Sequence, residues 1–190
     1  MDSVYIVGID PSTSCTGVAI FEMSVPDKDI LSVDVFKIVP AEDLRNRYPN
    51  TRVSGYSLTS DDKINHSASG VVDILDTYDN IVEVRIESPF FGGGSPGSFA
   101  VLTNNIRILE AAIVKSGILN VTRVAPSVPK SMLGISTRQK NSKLLVRGEL
   151  FKIDEIIDNV PDLMVLVEDI VDAIAIGYSG VGLPVNTDAL

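Results

Sequence analysis

Apolar residues form three short, β-branched runs at the start of the chain. Residues 4–9 make the first run, which ends at Asp10, and residues 17–21 make the second after a Pro-Ser-Thr-Ser segment typical of turns. Residues 30–39 alternate loosely between apolar and polar positions. Runs of this length and composition are typical of strands, and a short turn between two of them favours antiparallel pairing. The opening of the chain therefore predicts three consecutive antiparallel strands.

Beyond the third strand, helical and strand patterns alternate. Four segments have the apolar period of a helix: one begins at Ser60, one covers residues 98–116, one begins near Arg138 and one covers residues 163–178. Strand patterns cover residues 81–86 and 120–124. Residues 40–58 and the Pro-containing segment up to Gly134 are predicted as loops. Strands that are separated by helices join a sheet in parallel through right-handed connections. The sequence thus predicts one α/β domain over residues 1–190, with helices on both faces of a mixed five-stranded sheet of three antiparallel and two parallel strands.

Composition places the chain among globular proteins. Of its 190 residues, 45% are hydrophobic and 22% are charged, which is usual for a packed domain. Asp10 interrupts the first apolar run, and no stretch approaches the ~20 apolar residues of a membrane span. We therefore expect a cytoplasmic protein without a secretory leader or a membrane segment. The single cysteine, Cys15, excludes an internal disulfide and is interpreted as a small buried apolar residue.

Charge is distributed unevenly along the chain. The formal net charge is −9, yet residues 89–148 contain eight Lys or Arg against Glu110 alone, so this middle part carries +7 and the remainder carries −16. Such an asymmetry permits a local anion-binding surface on an acidic protein. A solvated basic helix would give the same count, so charge alone leaves both interpretations open.

Four carboxylates stand in apolar surroundings that packing alone does not explain. Asp10 and Glu87 each end an apolar strand, and Asp169 and Asp172 stand three residues apart in an apolar helical pattern, which puts both on one helix face. Each acid singly has an ordinary structural role, such as opening a turn or capping a helix. Because a buried, unpaired carboxylate costs roughly several kcal/mol, the four together predict a bound cation.

The donor atoms decide which cation this site would hold. Carboxylate oxygens suit Mg²⁺ or Mn²⁺, whereas zinc would call for Cys or His ligands. The only histidine, His66, has no partner ligand at i+3 or i+4 and is not expected to bind metal. Two ions held ~3.5–4 Å apart by shared carboxylates can activate a water and stabilise the leaving oxygen of a phosphodiester.

Four segments, in order, resemble the motifs of RuvC-type Holliday junction resolvases. Gly8-Ile-Asp-Pro-Ser-Thr-Ser-Cys-Thr-Gly17 is similar to the family's opening motif, and Ile86-Glu-Ser-Pro-Phe90 to its second. Glu168-Asp-Ile-Val-Asp-Ala-Ile-Ala175 resembles the terminal motif, and Lys130, Gly134 and Lys140 match a Lys, a Gly and a further Lys before the last helices. The resemblance covers nearly the whole chain.

This resemblance implies a ribonuclease H-like fold and a homodimer that nicks two opposed strands of a four-way DNA junction symmetrically. The metal-binding catalytic acids would be Asp10, Glu87, Asp169 and Asp172, with two Mg²⁺ or Mn²⁺ ions, and Lys140 would assist charge in the transition state. Residues 98–116 would form the dimer face, although their apolar stripe is equally typical of a helix packed on a sheet. The residues that would contact DNA, by base stacking or at phosphates, are Phe90, Phe91, Lys130, Arg138, Lys140 and Lys143.

Several positions depart from the family pattern. Ser12 stands where the family commonly has Gly, the Gly-x-Gly before the basic helix is reduced to Gly134-Ile-Ser136, and residues 40–58 suggest an insertion. Together with the acidic net charge, these departures suggest a divergent member, encoded by a phage and acting in the cytoplasm of its bacterial host.

Three alternative functions remain open at this stage. Actin-like ATPases and sugar kinases have a similar opening motif, but this chain lacks that motif's middle glycine and a second phosphate loop. A non-catalytic DNA-binding protein of the same fold is another alternative, although all four acids are present. A nuclease that cuts flaps and forks as well as four-way junctions is the third, and no sequence feature separates it from a junction-specific enzyme.

Overall fold

The computed structural model describes residues 3–12, 14–25, 27–40, 52–56, 60–90, 95–136 and 142–181. The strands are β1 (Ser3–Pro11), β2 (Thr16–Ser24), β3 (Ile30–Pro40), β4 (Arg52–Tyr56), β5 (Ile81–Glu87) and β6 (Val121–Val124). The helices are α1 (Ser60–Leu75), α2 (Pro96–Lys115), α3 (Ser127–Met132), α4 (Ser142–Leu150), α5 (Asp154–Asn159) and α6 (Glu168–Val181). None of the helices in these ranges has the length and apolarity that crossing a membrane requires.

The strands form one mixed sheet in the order β4-β3-β2-β1-β5-β6. Strands β1, β2 and β3 pair antiparallel, whereas β5 pairs parallel to β1 and β6 parallel to β5. The predicted three antiparallel and two parallel strands are therefore confirmed. The sheet also has a sixth strand, β4, which pairs parallel to β3 at the edge.

Strand β4 corrects the prediction of a loop over residues 40–58. It is only five residues long, contains Gly55 and follows the polar, proline-containing stretch of residues 41–51. A strand this short, with glycine inside it, has too few alternating positions to register as a pattern. Residues 41–51 and 57–59 lie outside the described part of the chain.

Side chains alternate between the two faces of the sheet and build a core on each. Val7 and Ile9 of β1 pack with α1 and α2 on one face, whereas Ile6 packs with α4, α5 and α6 on the other. This alternation is the two-residue period of a strand. The predicted helices on both faces are confirmed.

Two glycines let α6 lie unusually close to the sheet. A Cβ atom on Gly8 of β1 would be 2.2 Å from the Ala173 carbonyl oxygen, and one on Gly17 of β2 would be 2.1 Å from the Asp169 carbonyl oxygen. Both distances are far inside van der Waals contact, so only glycine allows this approach. The backbone of α6 at Asp169 therefore rests directly on β2.

The helical predictions are confirmed in outline and corrected in two places. α1 begins at Ser60 as predicted, but α3 occupies part of the predicted loop before Gly134, and the last helix begins at Glu168 rather than at Leu163. Arg147 explains the late start, because its guanidinium donates hydrogen bonds to the carbonyls of Met164 and Leu166. Those carbonyls are thereby held in a turn instead of an α-helical ladder. The predicted start of the basic helix, at Arg138, lies outside the described residues.

Candidate active site

Asp10 and Glu87 come together because they end neighbouring parallel strands. Ile9 of β1 is in register with Ile86 of β5, so the next residue in each strand is also a neighbour. Since Ile9 and Ile86 both pack on the α1 and α2 side, Asp10 and Glu87 point to the opposite face, toward α6. Strand alternation and register thus place both carboxylates on the face that α6 covers.

Helix α6 adds the other two acids. Asp169 and Asp172 lie in its first turns, and the contact between Gly17 and the Asp169 backbone sets their height above the sheet. All four acids line one cleft of about 760 Å³, together with Ser12, Phe90, Lys130 and Lys143. The structure therefore brings the four sequence-predicted acids to a single site.

Asp10 is the most constrained of the four. Its side chain is buried, with 8% of the residue exposed. Burial, followed by the charges of Glu87, Asp172 and Asp169, raises the pKa of Asp10 to about 9, and Asp10 shares a hydrogen bond with Glu87. At neutral pH Asp10 is therefore protonated and donates this hydrogen bond to the Glu87 carboxylate.

Two lysines oppose the negative charge of the cluster. Burial raises the pKa of Glu87 and of Asp172, whereas the positive charges of Lys130 and Lys143 act in the opposite direction on both. Lys143 of α4 lies with its ammonium 2.7 Å from a Glu168 oxygen and 4.0 Å from an Asp172 oxygen. Lys130 and Lys143 thus offset part of the effect that burial has on the pKa of these two carboxyls.

The chemistry of this donor set fits hard divalent cations. Four carboxylates meet at one cleft, and burial together with the charges of the neighbouring acids keeps a proton on Asp10. In this conformation no three acidic, Cys or His side chains among the described residues form a ready-made ion site. Because Asp10 shares a proton with Glu87, an ion would have to displace that proton before both carboxylates could act as ligands.

The predicted DNA contacts divide into described and undescribed residues. Phe90 lines the cleft with 72% of its surface exposed, so it does not pack on the protein itself. Lys130 of α3 and Lys143 of α4 also line the cleft. Phe91, Arg138 and Lys140, the last with its predicted role in the transition state, lie outside the described residues. His66 is exposed on α1 and is not among the residues that line the cleft.

Three contacts of the site were not predicted from the sequence. The buried Cys15 thiol hydrogen-bonds to the Asp169 carboxylate, and burial together with that carboxylate raises the pKa of Cys15. The Asn105 amide of α2 donates to the Ser12 carbonyl, 3.2 Å away, in the turn that follows Asp10. The Lys143–Glu168 ion pair joins α4 to α6. The only signal in the sequence was Cys15 and Ser12 lying inside the first motif.

The strand order and directions, with acids at the ends of β1 and β5 and on α6, define a ribonuclease H-like fold. No protein-family model and no curated protein matches the sequence. Among solved structures, the chain is similar to Thermus thermophilus RuvC in complex with a Holliday junction substrate, with a TM-score of 0.57 at 16% identity over 93% of this chain and 91% of that one.

Two further resolvases show the same likeness. The Fowlpox virus resolvase in complex with Holliday junction DNA aligns with a TM-score of 0.57 at 17% identity, covering 94% of this chain and 97% of that one. The yeast mitochondrial Holliday junction resolvase aligns with a TM-score of 0.55 at 13% identity, covering 94% and 78%. The chain therefore has the fold of RuvC-like Holliday junction resolvases, at a low identity that fits a divergent sequence.

Proposed function

We propose that this protein is a divalent-metal-dependent endodeoxyribonuclease that resolves four-way DNA junctions by symmetric phosphodiester hydrolysis. The observation that carries the proposal is the convergence of Asp10, Glu87, Asp169 and Asp172 on one cleft of a resolvase-like fold. The chain acts as a single nuclease domain over residues 1–190, as a homodimer, in the cytoplasm of a bacterium that hosts a phage.

The four acids hold two Mg²⁺ or Mn²⁺ ions, which activate a water and stabilise the leaving 3′-oxygen when bound. The protein's own residues do the rest. When the ions bind, Asp10 would release to solvent the proton that it shares with Glu87, so that both carboxylates could act as ligands. Lys130 brings positive charge to the cleft beside the acids and contacts phosphates. Lys140, by its place in the family motif, assists charge in the transition state.

Phe90 supports a branched substrate. Phe90 lines the cleft with 72% of its surface exposed, so its ring is accessible for stacking on a base. Stacking on an aromatic ring suits bases that are unpaired, as they are at the centre of an open junction, and tolerates any base sequence. DNA contacts are also assigned to Lys143, which lines the cleft, and, from the sequence alone, to Phe91 and Arg138.

Helix α2 supports the proposed dimer. Ala100, Asn104, Arg107 and Ala111 are all exposed and recur at the spacing of one helix face. Ala100 and Ala111 have small side chains on that face, which would allow a second copy of the helix to approach closely at these positions. Because Val101 and Leu102 of the same helix line the cleft, an α2–α2 contact would fix the distance between two active sites.

The test is a cleavage assay with a labelled synthetic four-way junction in Mg²⁺ or Mn²⁺, run beside linear duplex, a flap and a fork. We expect paired, symmetric nicks confined to the junction, and Asp10→Asn and Glu87→Gln should each abolish them while junction binding is retained. Equal cutting of flaps and forks would instead indicate a general branch nuclease. Tight binding without cutting in either ion would indicate a non-catalytic DNA-binding protein.

A further inference from the structure

Lys143 lies between its ion-pair partner Glu168 and the acid cluster. Its ammonium is bonded to Glu168 at 2.7 Å, and it also lies 4.0 Å from Asp172, one of the four acids. The side chain lines the main cleft, and the same lysine lines a small adjoining pocket with Leu144, Arg147, Glu168 and Asp172. Lys143 thus lies at the border between the acid cluster and the surface where DNA would bind.

The groups around this ammonium are almost all acidic. On α6 it faces Glu168 and Asp172, and from β1 and β5 the carboxyls of Asp10 and Glu87 interact with it across the cleft. The other positive charges nearby are Lys130 of α3, which acts on the same acids, and Arg147, which is engaged with the carbonyls of Met164 and Leu166. Lys143 is therefore a cation held beside an acid of the cluster.

We propose that Lys143, held in place by Glu168, is a built-in counter-ion of the acid cluster, which a divalent cation displaces when it binds. The released side chain then contacts a DNA phosphate, so that ion binding and DNA binding support each other. The inference rests on the proposed function, because the ion and the DNA are those of the nuclease. It assigns Glu168 a positioning role, since it holds Lys143 over Asp172 and contributes no catalytic group.

The first arm of the test measures Mn²⁺ binding to the protein alone by calorimetric titration, for wild type, Lys143→Gln and Lys143→Arg. Removal of a competing positive charge at an exposed ion pair should tighten Mn²⁺ binding by about two- to fivefold in Lys143→Gln. Lys143→Arg keeps the charge and should restore the wild-type affinity. Unchanged or weaker Mn²⁺ binding in Lys143→Gln would overturn the proposal.

A matched control exists in the same region of the chain. Lys152 is 68% exposed and pairs with Glu149 at 2.7 Å, much as Lys143, which is 59% exposed, pairs with Glu168. Lys152 does not line the cleft. Lys152→Gln should therefore leave Mn²⁺ affinity unchanged. An equal gain in both variants would show that net charge alone sets the affinity and would contradict the role of Lys143.

The second arm measures the salt dependence of junction binding, with Ca²⁺ and in chelator. The logarithm of the junction-binding constant falls linearly with the logarithm of the salt concentration. If the ion frees Lys143 for a phosphate, Lys143→Gln should make this dependence less steep by about 0.9 in Ca²⁺ and leave it unchanged in chelator. An equal loss under both conditions would make Lys143 a permanent phosphate contact and would overturn the displacement.

Failure of this inference and failure of the proposed function give different results. If wild type cuts the junction in Mg²⁺ but Lys143→Gln binds Mn²⁺ with the same affinity as wild type, the proposed nuclease function stands and the counter-ion role of Lys143 is refuted. If wild type cuts no DNA but Lys143→Gln binds Mn²⁺ more tightly than wild type, the counter-ion role of Lys143 stands and the proposed nuclease function is refuted.

Discussion

Asp10 is where the fold and the chemistry compete most directly. Its carboxyl lies buried at the end of a strand, beside three other acids, and its pKa is raised to about 9. The unfolded chain would release this proton near the ordinary value of 3.8. Between these two values the folded state binds one proton more than the unfolded state, so the free energy of unfolding falls as pH rises. In the absence of metal, the site therefore destabilises the fold at neutral pH.

Asp10→Asn tests this balance. The amide can donate to Glu87 as the protonated acid does, but it does not titrate, so the variant should melt higher than wild type in chelator. The gap should widen from about pH 5 to about pH 8, where wild type loses most stability. A change of about 1 kcal/mol moves the melting temperature of a chain this long by roughly 2–4 °C, which calorimetry resolves.

The matched control is Asp158→Asn, on an exposed position of α5, which removes one negative charge from a residue that does not line the cleft. A gap between Asp10→Asn and wild type that stays constant with pH would contradict a buried, protonated Asp10. Saturating Mg²⁺ should reverse the order of stability, because it stabilises only the protein whose four acids are intact.

At the residue scale, the sequence predicted the acids and missed what surrounds them. Asp10, Glu87, Asp169 and Asp172 were visible because charge interrupts an apolar pattern. The hydrogen bond from Cys15 to Asp169 and the ion pair of Lys143 with Glu168 depend on how close α4 and α6 approach the sheet and each other. No local pattern encodes that distance, so only the structure shows these contacts.

Among the elements, α6 and its two glycine contacts hold half of the site. Gly17 of β2 lies against the backbone of Asp169, and Gly8 of β1 against that of Ala173. Because these contacts are so close, they fix the position of α6 on the sheet, and with it the positions of Asp169 and Asp172. Helix packing thus explains why Gly8 and Gly17 of the first motif are glycines.

Gly17→Ala should move Asp169 and Asp172 of α6 away from Asp10 and Glu87 of the sheet. The added Cβ would lie 2.1 Å from the Asp169 carbonyl oxygen, so α6 must move by roughly 1 Å. We expect a loss of stability of about 1–3 kcal/mol from overpacking and a kcat for junction cleavage lower by about 100-fold. Denaturant unfolding and single-turnover cleavage at low temperature measure the two effects separately.

Gly148→Ala provides the comparison. Gly148 lies in α4, and an added Cβ there meets no atom within 4 Å. Alanine should stabilise the helix by roughly 0.5–1 kcal/mol and leave cleavage unchanged. If Gly17→Ala behaved like Gly148→Ala, the close packing of α6 on β2 would not be what positions Asp169.

The elements with a strong period were predicted well, and those set by tertiary contacts were not. The five strands and the helices α1 and α2 follow from apolar spacing over many residues. Strand β4 depends on an edge position beside β3, and α6 begins late because Arg147 holds the carbonyls of Met164 and Leu166. Neither cause is local in sequence, so neither was predictable from pattern.

Over the whole molecule, the distribution of charge would favour the proposed DNA contact at one place. The chain carries −9 overall and +7 within residues 89–148, and this basic segment includes Lys130 and Lys143, which line the cleft. Acidic surface elsewhere would repel DNA from the rest of the protein, so the cleft is favoured as the site of contact. Affinity for a junction should therefore depend steeply on salt.

Symmetric cleavage requires two clefts at a fixed separation, and the exposed face of α2 is the proposed contact that sets it. Ala111 lies on this face, so Ala111→Arg would place a long charged side chain between the two helices. Because Arg is a good helix former, α2 itself should remain intact. We expect the variant to be monomeric at micromolar concentration by sedimentation and to convert paired nicks into single, uncoordinated ones.

The control is Asp158→Arg, which adds the same side chain at an exposed position of α5 and should stay dimeric and make paired nicks. Paired nicking by a monomeric Ala111→Arg, or a dimer that survives the substitution, would refute α2 as the interface.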